Sequence, residues 1–229
     1  MSWIFGQKII DILRKKSKCE SNFKIDKGNI INITKSDKIS MNLNITGVNN
    51  SITVKEPANY MNLSIHIVGN NNNIFIDEGC FGNFCIEIWG ENSIENCNNC
   101  NVKIGNDSYI GCNSRIFLFE TNTQCEIGNH CRISDNVYIC CSDIHSVIDL
   151  KTGCTLNRAQ NIIIGNHVWV GHNVTFNKNT KISDNSIVAH SSIVTKRFNK
   201  NNILIAGSPA KIVKDNISWV LDSPSRRLK

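Results

Sequence analysis

The sequence has little proline and no long hydrophobic run. Only three of its 229 residues are proline, and no apolar stretch reaches the roughly eighteen residues of a membrane-spanning helix. The first residues lack the small-residue cleavage site of a signal peptide. Base-reading motifs and interleaved aromatic residues are missing as well, which argues against a nucleic-acid partner although the net charge is +6. We therefore expect a cytoplasmic protein without a membrane span.

Cysteine is abundant, but its pattern indicates neither disulfides nor a metal. The chain has eleven cysteines, an odd number, and several stand where other repeat units carry small residues. Cysteine at such positions fills a core in a reducing compartment. Cys97 and Cys100 form a lone C-x-x-C with no second pair nearby, so we predict no metal site.

The central feature is a six-residue repeat over residues 164–193. In each unit an aliphatic or aromatic residue leads, and a small or β-branched residue follows four places later. A period of six fits neither an α-helix nor a single flat strand and is typical of a β-helix solenoid. Since alternate side chains of a strand point to opposite sides, both marked residues should face inward. The pairs are Ile164/Val168, Val170/Val174, Phe176/Thr180, Ile182/Ser186 and Val188/Ser192.

The repeat extends towards the N-terminus in a less regular form. Further units are Ile104/Ser108, Ile110/Ser114, Ile127/Cys131 and Ile133/Val137. Earlier still, Gly47, Gly69 and Gly90 share a hydrophobic-x-Gly frame at spacings of 22 and 21 residues, which predicts coils slightly longer than three hexads. Asn in the middle of most units is expected at corners, because it tolerates left-handed backbone. We predict one solenoid over residues 21–205, with neighbouring coils paired as parallel strands.

Two terminal segments and one interruption complete the layout. Residues 1–20 are predicted to form an amphipathic helix that caps the open end of the solenoid, with a membrane-surface segment as the alternative. Residues 206–229 should turn at Gly207-Ser208-Pro209 and then form a helix from Ala210 to Leu221. At about residues 140–161 the hexads stop, and a protruding loop of roughly twenty residues replaces them.

Several segments together resemble one known family. The loop motif SDIHSVID, the segment IGNHVWVG, the string SIVAHSSIVTK and the ending IAGSPAKIVK, added to the hexads, look like the left-handed β-helix hexapeptide acyltransferases. The chain most resembles the subgroup that O-acetylates capsular and surface polysaccharides, including the polysialic acid O-acetyltransferases, and the strict match covers residues 104–219. This resemblance implies an all-β, left-handed parallel β-helix, acetyl-CoA as co-substrate, a sugar acceptor, and a homotrimer with active sites between subunits.

His145 lies in the protruding loop and matches the family's catalytic histidine by its SD-x-H setting. Acetyl transfer from a thioester to a hydroxyl requires removal of the alcohol's proton, and histidine is suited to this because its ordinary pKa lies near operating pH. We therefore predict His145 as the general base. Asp143 or Asp149 would orient the imidazole or hold the loop, and the sequence does not choose between them. Asp143 is included with His145 as a candidate catalytic residue.

Seven further positions are expected to contact acetyl-CoA. Trp169 follows the inward Val168 and so faces outward, and the Trp of this motif lines the acetyl-CoA channel in the family. By the same resemblance, backbone amides at coil edges and turns would bind polar atoms, and lysines would bind phosphate. The other histidines are expected at outward or corner positions without a catalytic role. The predicted cofactor-binding residues are Trp169, Gly171, Ala189, Lys196, Gly207, Pro209 and Lys211.

The function predicted on this basis is acetyl-CoA-dependent transfer of an acetyl group to a sugar hydroxyl of a surface glycan or its precursor, by direct attack. Two alternatives stay open. In the first, the acceptor is the amino group of a nucleotide-linked sugar, although the N-terminal coils do not match the compact α/β domain that many such enzymes carry first. In the second, the solenoid is a non-catalytic scaffold or sugar-binding module.

Overall fold

Residues 22–90 and 96–227 are described in the computed structural model of this chain. These residues form twenty-one β-strands and one short 3-10 helix, Pro224–Arg227. The amphipathic helix predicted for residues 1–20 lies outside the described residues. No helix able to span a bilayer occurs in residues 22–90 and 96–227.

The strands are short and closely spaced, except where the protruding loop separates two of them. Before the loop they are β1 (Asn22–Ile25), β2 (Ile30–Ile33), β3 (Ile39–Thr46), β4 (Ser51–Val54), β5 (Met61–Val68), β6 (Asn73–Ile76), β7 (Phe81–Ile88), β8 (Asn101–Ile104), β9 (Tyr109–Leu118), β10 (Gln124–Ile127), β11 (Arg132–Ile133) and β12 (Tyr138–Cys140). After the loop they are β13 (Ile162–Ile164), β14 (Trp169–Val170), β15 (Thr175–Phe176), β16 (Lys181–Ile182), β17 (Ile187–Val188), β18 (Ile193–Val194), β19 (Arg197–Phe198), β20 (Ile203–Gly207) and β21 (Ala210–Asp215).

The strands stack as the coils of a parallel solenoid. A thirteen-stranded sheet runs from β1 through β9 to β21, and an eight-stranded sheet runs from β2 to β19. From β10 onward each coil has three sides. The first face consists of β11, β14, β17 and β20, the second face of β12, β15 and β18, and the third face of β10, β13, β16 and β19.

The inward positions predicted from the hexads are confirmed. Both marked side chains of every unit from Ile104 to Ser192 are at most 2% exposed. The predicted corners are confirmed as well, because the residue before the small inward one has a positive φ, as at Asn173 with 57°. His130 and His167 occupy two of these corners, with φ values of 55° and 52°. These two histidines therefore shape the coil.

The coils before β10 have a different cross-section. The long strands β3, β5, β7 and β9 form one continuous side of eight to ten residues, and β9 then pairs with both β11 and β12. The long side thus divides at β9 into the first and second faces. A ladder of buried asparagines stabilises one corner of the early coils. Asn50 Nδ2 donates to Asn29 Oδ1 at 3.0 Å, and Asn72 Nδ2 donates to Asn50 Oδ1 at 2.9 Å.

The glycine spacings predicted two coil lengths. The length from Gly47 to Gly69 is confirmed, whereas the length from Gly69 to Gly90 is wrong. Gly47 lies against Gly69, but Gly69 lies against Cys97 rather than Gly90: a Cβ on Gly69 would stand 1.8 Å from the Cys97 carbonyl oxygen. This coil is longer than the one before it, because extra residues follow Trp89 and Ile74 pairs with Val102. The position of Gly90 in the sequence was therefore a misleading signal.

The cysteines fill the core as predicted. All ten described cysteines are free, and seven of them are buried. Burial raises the pKa of Cys125 to about 12 and that of Cys131 to about 11. Cys97 and Cys100 donate their thiol hydrogens to backbone carbonyl oxygens. Such thiols are packing groups rather than nucleophiles.

The helix predicted for residues 210–221 is wrong. Ala210–Asp215 is the strand β21, which forms an antiparallel hairpin with β20 that closes where Gly207 pairs with Ala210. The β-branched neighbours Ile212 and Val213 favour extended backbone. The hairpin also pairs the open edge of the last coil, which a helix packed elsewhere would leave without hydrogen-bond partners.

Candidate active site

The protruding loop leaves the second face after β12 and returns to the third face at β13, as the interrupted hexads predicted. It therefore projects from the corner between the second and third faces. At its outer end Ile148 and Thr155 form a short antiparallel bridge. Asp149 stabilises the tip, because its Oδ1 accepts hydrogen bonds from the amides of Lys151 and Thr152 at 2.8 and 2.9 Å. These amide bonds hold the pKa of the Asp149 carboxyl below its ordinary value.

His145 is exposed on this loop, and the backbone before it is strained. Ile144 has a φ of 69°, which is an outlier for a β-branched residue. Its amide donates to Ser142 Oγ at 3.0 Å, and the His145 amide donates to the Asp143 carbonyl oxygen at 2.8 Å. Strained backbone persists only where surrounding contacts enforce it, and it is concentrated at functional sites.

The carboxylate of Asp143 is bound by groups other than the His145 imidazole. Asp143 Oδ2 accepts hydrogen bonds from Lys178 Nζ and from Asn157 Nδ2. The ammonium of Lys178, supported by Asn157, keeps the pKa of the Asp143 carboxyl below its ordinary value. Asp143 and Asp149 thus both hold the loop, which was one of the two roles that the sequence left open.

Asn157 ties the two limbs of the loop together, and sequence reasoning missed it. Its Nδ2 donates to Asp143 Oδ2 at 2.9 Å and to the His145 carbonyl oxygen at 2.8 Å. Its Oδ1 accepts from the Val147 amide at 2.7 Å, and its own carbonyl oxygen accepts from Lys178 Nζ at 2.9 Å. In a sequence rich in asparagine, nothing distinguishes this one from the corner residues.

Glu120 holds the base of the loop and was also missed. Its Oε1 accepts from Ser142 Oγ at 2.7 Å, and its Oε2 accepts from the Ala159 amide at 3.2 Å. Glu120 belongs to the preceding coil, whereas Lys178 belongs to the following one. His145 is therefore presented on a loop that neighbouring coils fix from both sides.

Trp169 lies on the first face, as its outward position predicted, and its side chain is 43% exposed. In β14 it stands between Arg132 and Ile187 of the adjacent coils. Its ring centroid is 6.2 Å from that of Trp219, whose Nε1 donates to the His167 carbonyl oxygen at 2.9 Å. The first face is opposite the corner that carries the loop, so the coil does not bring Trp169 and His145 together within one chain.

The other predicted cofactor residues fall into separate places. Gly171 and Ala189 stack at the corner between the first and second faces, and Gly207, Pro209 and Lys211 belong to the terminal hairpin. Lys196 follows β18, above Lys178, near the corner that carries the loop. These residues are not one cluster within the chain.

The backbone amides of three of these residues have hydrogen-bond partners within the chain. The Gly171 and Ala189 amides donate to the carbonyl oxygens of Val188 and Ile205, each at 2.8 Å, and the Gly207 amide donates to Ser192 Oγ at 3.2 Å. The first two bonds belong to the backbone ladder that stacks successive coils, and the third joins the hairpin to a buried serine of the preceding coil. What such residues can offer a ligand is close backbone approach and carbonyl oxygen.

Comparisons with known proteins give the family. No protein-family model matches the chain. It is 32% identical over 188 residues to the polysialic acid O-acetyltransferase of Neisseria meningitidis, covering 76% of this chain and 86% of that protein. It is 42% identical over 118 residues to the polysialic acid O-acetyltransferase of Escherichia coli O1:K1 / APEC, covering 52% of this chain and 38% of that protein.

Solved structures agree with these relatives. The polySia-specific acetyltransferase NeuO superposes with a TM-score of 0.76 at 25% identity, covering 92% of this chain and 85% of that chain. The polysialic acid O-acetyltransferase OatWY gives a TM-score of 0.72 at 28% identity, covering 88% of this chain and 93% of that chain. The predicted left-handed parallel β-helix and the acetyltransferase class are thereby confirmed. The chain belongs to the family of polysialic acid O-acetyltransferases.

Proposed function

We propose that the protein transfers the acetyl group of acetyl-CoA to a hydroxyl of a polysialic acid type of glycan. The observation that carries the proposal is the similarity to the meningococcal polysialic acid O-acetyltransferase over 86% of that protein. The geometry supports it, because the exposed His145 is presented on a loop held by Glu120, Asn157 and Lys178.

In this mechanism His145 acts as the general base. Its imidazole removes the proton of the attacking hydroxyl while that oxygen forms a bond to the thioester carbonyl carbon. When the carbon–sulfur bond breaks, the imidazolium returns the proton to the departing thiolate. No covalent acyl-enzyme is needed, and the buried cysteines, with raised pKa values, are unsuited to form one.

The proposal includes a homotrimer with active sites shared between subunits. The loop exposes apolar side chains that a neighbouring chain would cover: Ile144, Val147, Ile148, Leu150 and Leu156 are 40%, 54%, 56%, 98% and 64% exposed. An apolar patch of this kind indicates an interaction surface. Because Trp169 and the loop occupy opposite parts of the coil, a site that contains both His145 and Trp169 would combine two subunits.

We assign acetyl-CoA to the surface around Trp169, Gly171 and Ala189. Trp169 would flank the thioester arm, while the corner backbone at Gly171 and Ala189 would offer carbonyl oxygens to its polar atoms. Lys196, Lys211 and the hairpin turn at Gly207 and Pro209 would lie along the nucleotide end. Lysine side chains there would neutralise phosphate charge.

Substitution of His145 tests the catalytic assignment. With acetyl-CoA and polysialic acid as substrates, release of free CoA and acetylation of the glycan are measured for wild type and His145→Ala. We expect a fall in kcat of about 10²- to 10⁴-fold, while the His66→Ala control keeps wild-type activity. Full activity of His145→Ala would refute the role of His145. Acetylation of nucleotide-linked amino sugars alone would refute the hydroxyl acceptor, and absence of acetyl-CoA binding would favour the non-catalytic scaffold.

Mixing two inactive variants tests the shared site. His145→Ala and Trp169→Ala subunits are refolded together and compared with each variant alone. Hybrid trimers should regain activity, because some sites then combine an intact His145 from one subunit with an intact Trp169 from another. Activity that stays at the level of the separate variants would contradict the arrangement.

A further inference from the structure

A cleft on the long-strand side of the solenoid has no place in the mechanism above. Its volume is about 460 Å³, and it lies over β5, β7, β9 and β12. At β12 it reaches the corner between the first and second faces. Tyr138, at the C-terminal end of the cleft, is two residues before Cys140, after which the protruding loop begins. The cleft therefore spans the boundary between the irregular early coils and the first hexad coils.

The lining of this cleft is polar and carries one cation. Asparagine and serine side chains contribute much of it, including Asn62, Asn83 and Asn136, and Arg115 is its charged group. Side-chain amides both donate and accept hydrogen bonds, which suits a ligand rich in hydroxyl groups. The lining contains no carboxylate, so it is favourable for an acidic ligand.

Two other clefts have a different charge. One, of about 380 Å³ on the third face and its corner, is lined by both lysines and carboxylates, among them Lys103, Glu126 and Asp184. The other is lined by Glu56, Asp77, Glu78 and Asp107, without a cation. An anionic polymer would be repelled by the acidic cleft, whereas the long-strand cleft offers it the half-exposed guanidinium of Arg115.

Arg115 has donors left for a ligand. Its side chain is 51% exposed, and its Nε is 3.7 Å from Glu87 Oε2, which is too long for a hydrogen bond. Glu87 thus holds the guanidinium electrostatically beside the cleft, and the Cys85 thiol of the cleft lining takes one of its hydrogen bonds, so the remaining N–H groups face a ligand. A guanidinium offers a fork of N–H groups that matches a carboxylate in two-point contact.

The C-terminal end of the cleft adjoins the corner where acetyl-CoA is expected. Asn136 lines the cleft, and its Nδ2 is 3.4 Å from Nε2 of His172 in the next coil. His172 directly follows Gly171. A glycan seated in the cleft would therefore extend along the coils towards Gly171 and Ala189.

We propose that this cleft binds the carboxylate-bearing sugar units of the acceptor, with Arg115 as the residue that selects an acidic glycan. This inference rests on the proposed function, since it names where that reaction takes its acceptor. It also gives the N-terminal coils a role: they extend the long side far enough to hold several sugar units next to the acetyl donor.

Steady-state kinetics on the full-length protein test the proposal. The variants are Arg115→Gln, which removes the cation, and Asn83→Trp, which fills the cleft while leaving Arg115 in place. Lys103→Gln, which removes an exposed cation on the third face, is the matched control. The acceptors are a polysialic acid oligomer of defined length and the same oligomer with its carboxylates reduced to alcohols.

Both cleft variants should raise the KM for the acidic oligomer by about tenfold or more, as expected for loss of a charge-assisted contact, and leave the KM for acetyl-CoA within about twofold. Wild type should prefer the acidic oligomer over the reduced one, and Arg115→Gln should lose that preference. Added salt should raise the acceptor KM of wild type more than that of Arg115→Gln.

Three results separate the possible failures. If wild type acetylates the oligomer and neither cleft variant changes its KM, the acceptor binds elsewhere and the inference is wrong while the proposed function stands. If Lys103→Gln acts like Arg115→Gln, the effect is general charge and the cleft is again excluded. If wild type transfers no acetyl group to either oligomer, the proposed function itself has failed.

Discussion

The coils before β10 and the coils after the protruding loop enclose one continuous core by two different means. The early coils have a long side of eight to ten residues, a short side, and a ladder of buried asparagines at one corner. The later coils have three short sides, with a positive-φ residue at each of several corners and a small buried side chain after it. The early coils are thus stabilised by hydrogen bonds between coils, whereas the corners of the later coils follow from the residues of each hexad.

The two regions also differ in how constant the length of each coil is. The hexads repeat so closely that Ile164 pairs with Ile182, one three-sided coil further along the chain. The early coils vary in length, since Ile52 pairs with Ile74 and Ile74 with Val102. Variable coils allow a wide outer face, whereas strict hexads give three faces of constant width. The loop with His145 begins near the boundary between the two regions.

The largest effect is expected at the glycine that packs the early coils. In Gly69→Ala the new Cβ would stand 1.8 Å from the Cys97 carbonyl oxygen, at a φ of 149°. We expect a loss of more than about 4 kcal/mol in the free energy of unfolding, or no soluble protein. Gly153→Ala is the control, because nothing lies within 4 Å of its Cβ, and its positive φ should cost about 1 kcal/mol. Urea unfolding followed by circular dichroism measures both, and equal losses would show that the close contact is unimportant.

A smaller effect should distinguish the two kinds of corner. Asn72→Ala removes donors to Asn50 Oδ1 and the Cys97 carbonyl oxygen and an acceptor for the Cys100 amide, which should cost about 2 kcal/mol. In the later coils, Thr180 Oγ1 is buried without a hydrogen-bond partner. Thr180→Val should therefore be neutral or stabilising by up to about 1 kcal/mol. Thermal unfolding of both variants checks the contrast, which fails if Thr180→Val is the more destabilised.

Loss of the loop contacts should affect turnover rather than stability. Asn157→Ala removes the hydrogen bond to the His145 carbonyl oxygen, and Lys178→Met removes the bonds to Asp143 and to the Asn157 carbonyl oxygen. If His145 is the base proposed above, its displacement should lower kcat by about tenfold. The KM for acetyl-CoA and the unfolding midpoint should stay near wild type, and Lys178→Arg should restore part of kcat.

Lys151→Met, at the exposed tip of the same loop, is the control for that experiment and should be fully active. An unchanged kcat in both Asn157→Ala and Lys178→Met would mean that neighbouring coils do not position His145. A fall in unfolding midpoint that matches the fall in activity would indicate a purely structural role.

The smallest effect concerns pH. Lys178 holds the pKa of the Asp143 carboxyl below its ordinary value. This contact therefore stabilises the folded loop above the ordinary carboxyl pKa and is lost as pH falls through the lowered one. Between about pH 5 and pH 8 the Asp143 carboxylate stays charged, and it should not contribute to the pH dependence of kcat. Asp143→Asn should therefore keep the shape of the wild-type pH–rate profile while lowering its height. A shifted acid limb in this variant would assign that limb to Asp143.

The sequence predicted most of the later coils and little of what holds the site. The inward pairs and the corner asparagines follow from a local period, because each hexad carries its own backbone geometry. The place of His145 in the protruding loop and the outward position of Trp169 next to Val168 also follow from local sequence. These signals are short-range, so insertions elsewhere do not disturb them.

The remaining features depend on which coil lies next to which. Glu120, Asn157 and Lys178 meet around the loop only because successive coils stack, and their sequence separations follow no fixed period. The same reason explains the misleading Gly90: extra residues after Trp89 shift the register, and Cys97 takes the expected place. The predicted C-terminal helix failed because an open sheet edge provides a partner for β21 that helical spacing in the sequence does not reveal.

By itself, the sequence determined a parallel solenoid, its core residues, the break in its wall and the histidine within that break. Tertiary structure decided how the loop is fixed, on which face Trp169 lies, and where the long strands place Arg115 beside a polar cleft. The physical reason is the range of the interactions involved. Hexad packing is decided within about six residues of chain. Hydrogen bonds and clefts across coils instead depend on which residues of successive coils are paired, and each insertion in the chain changes that pairing.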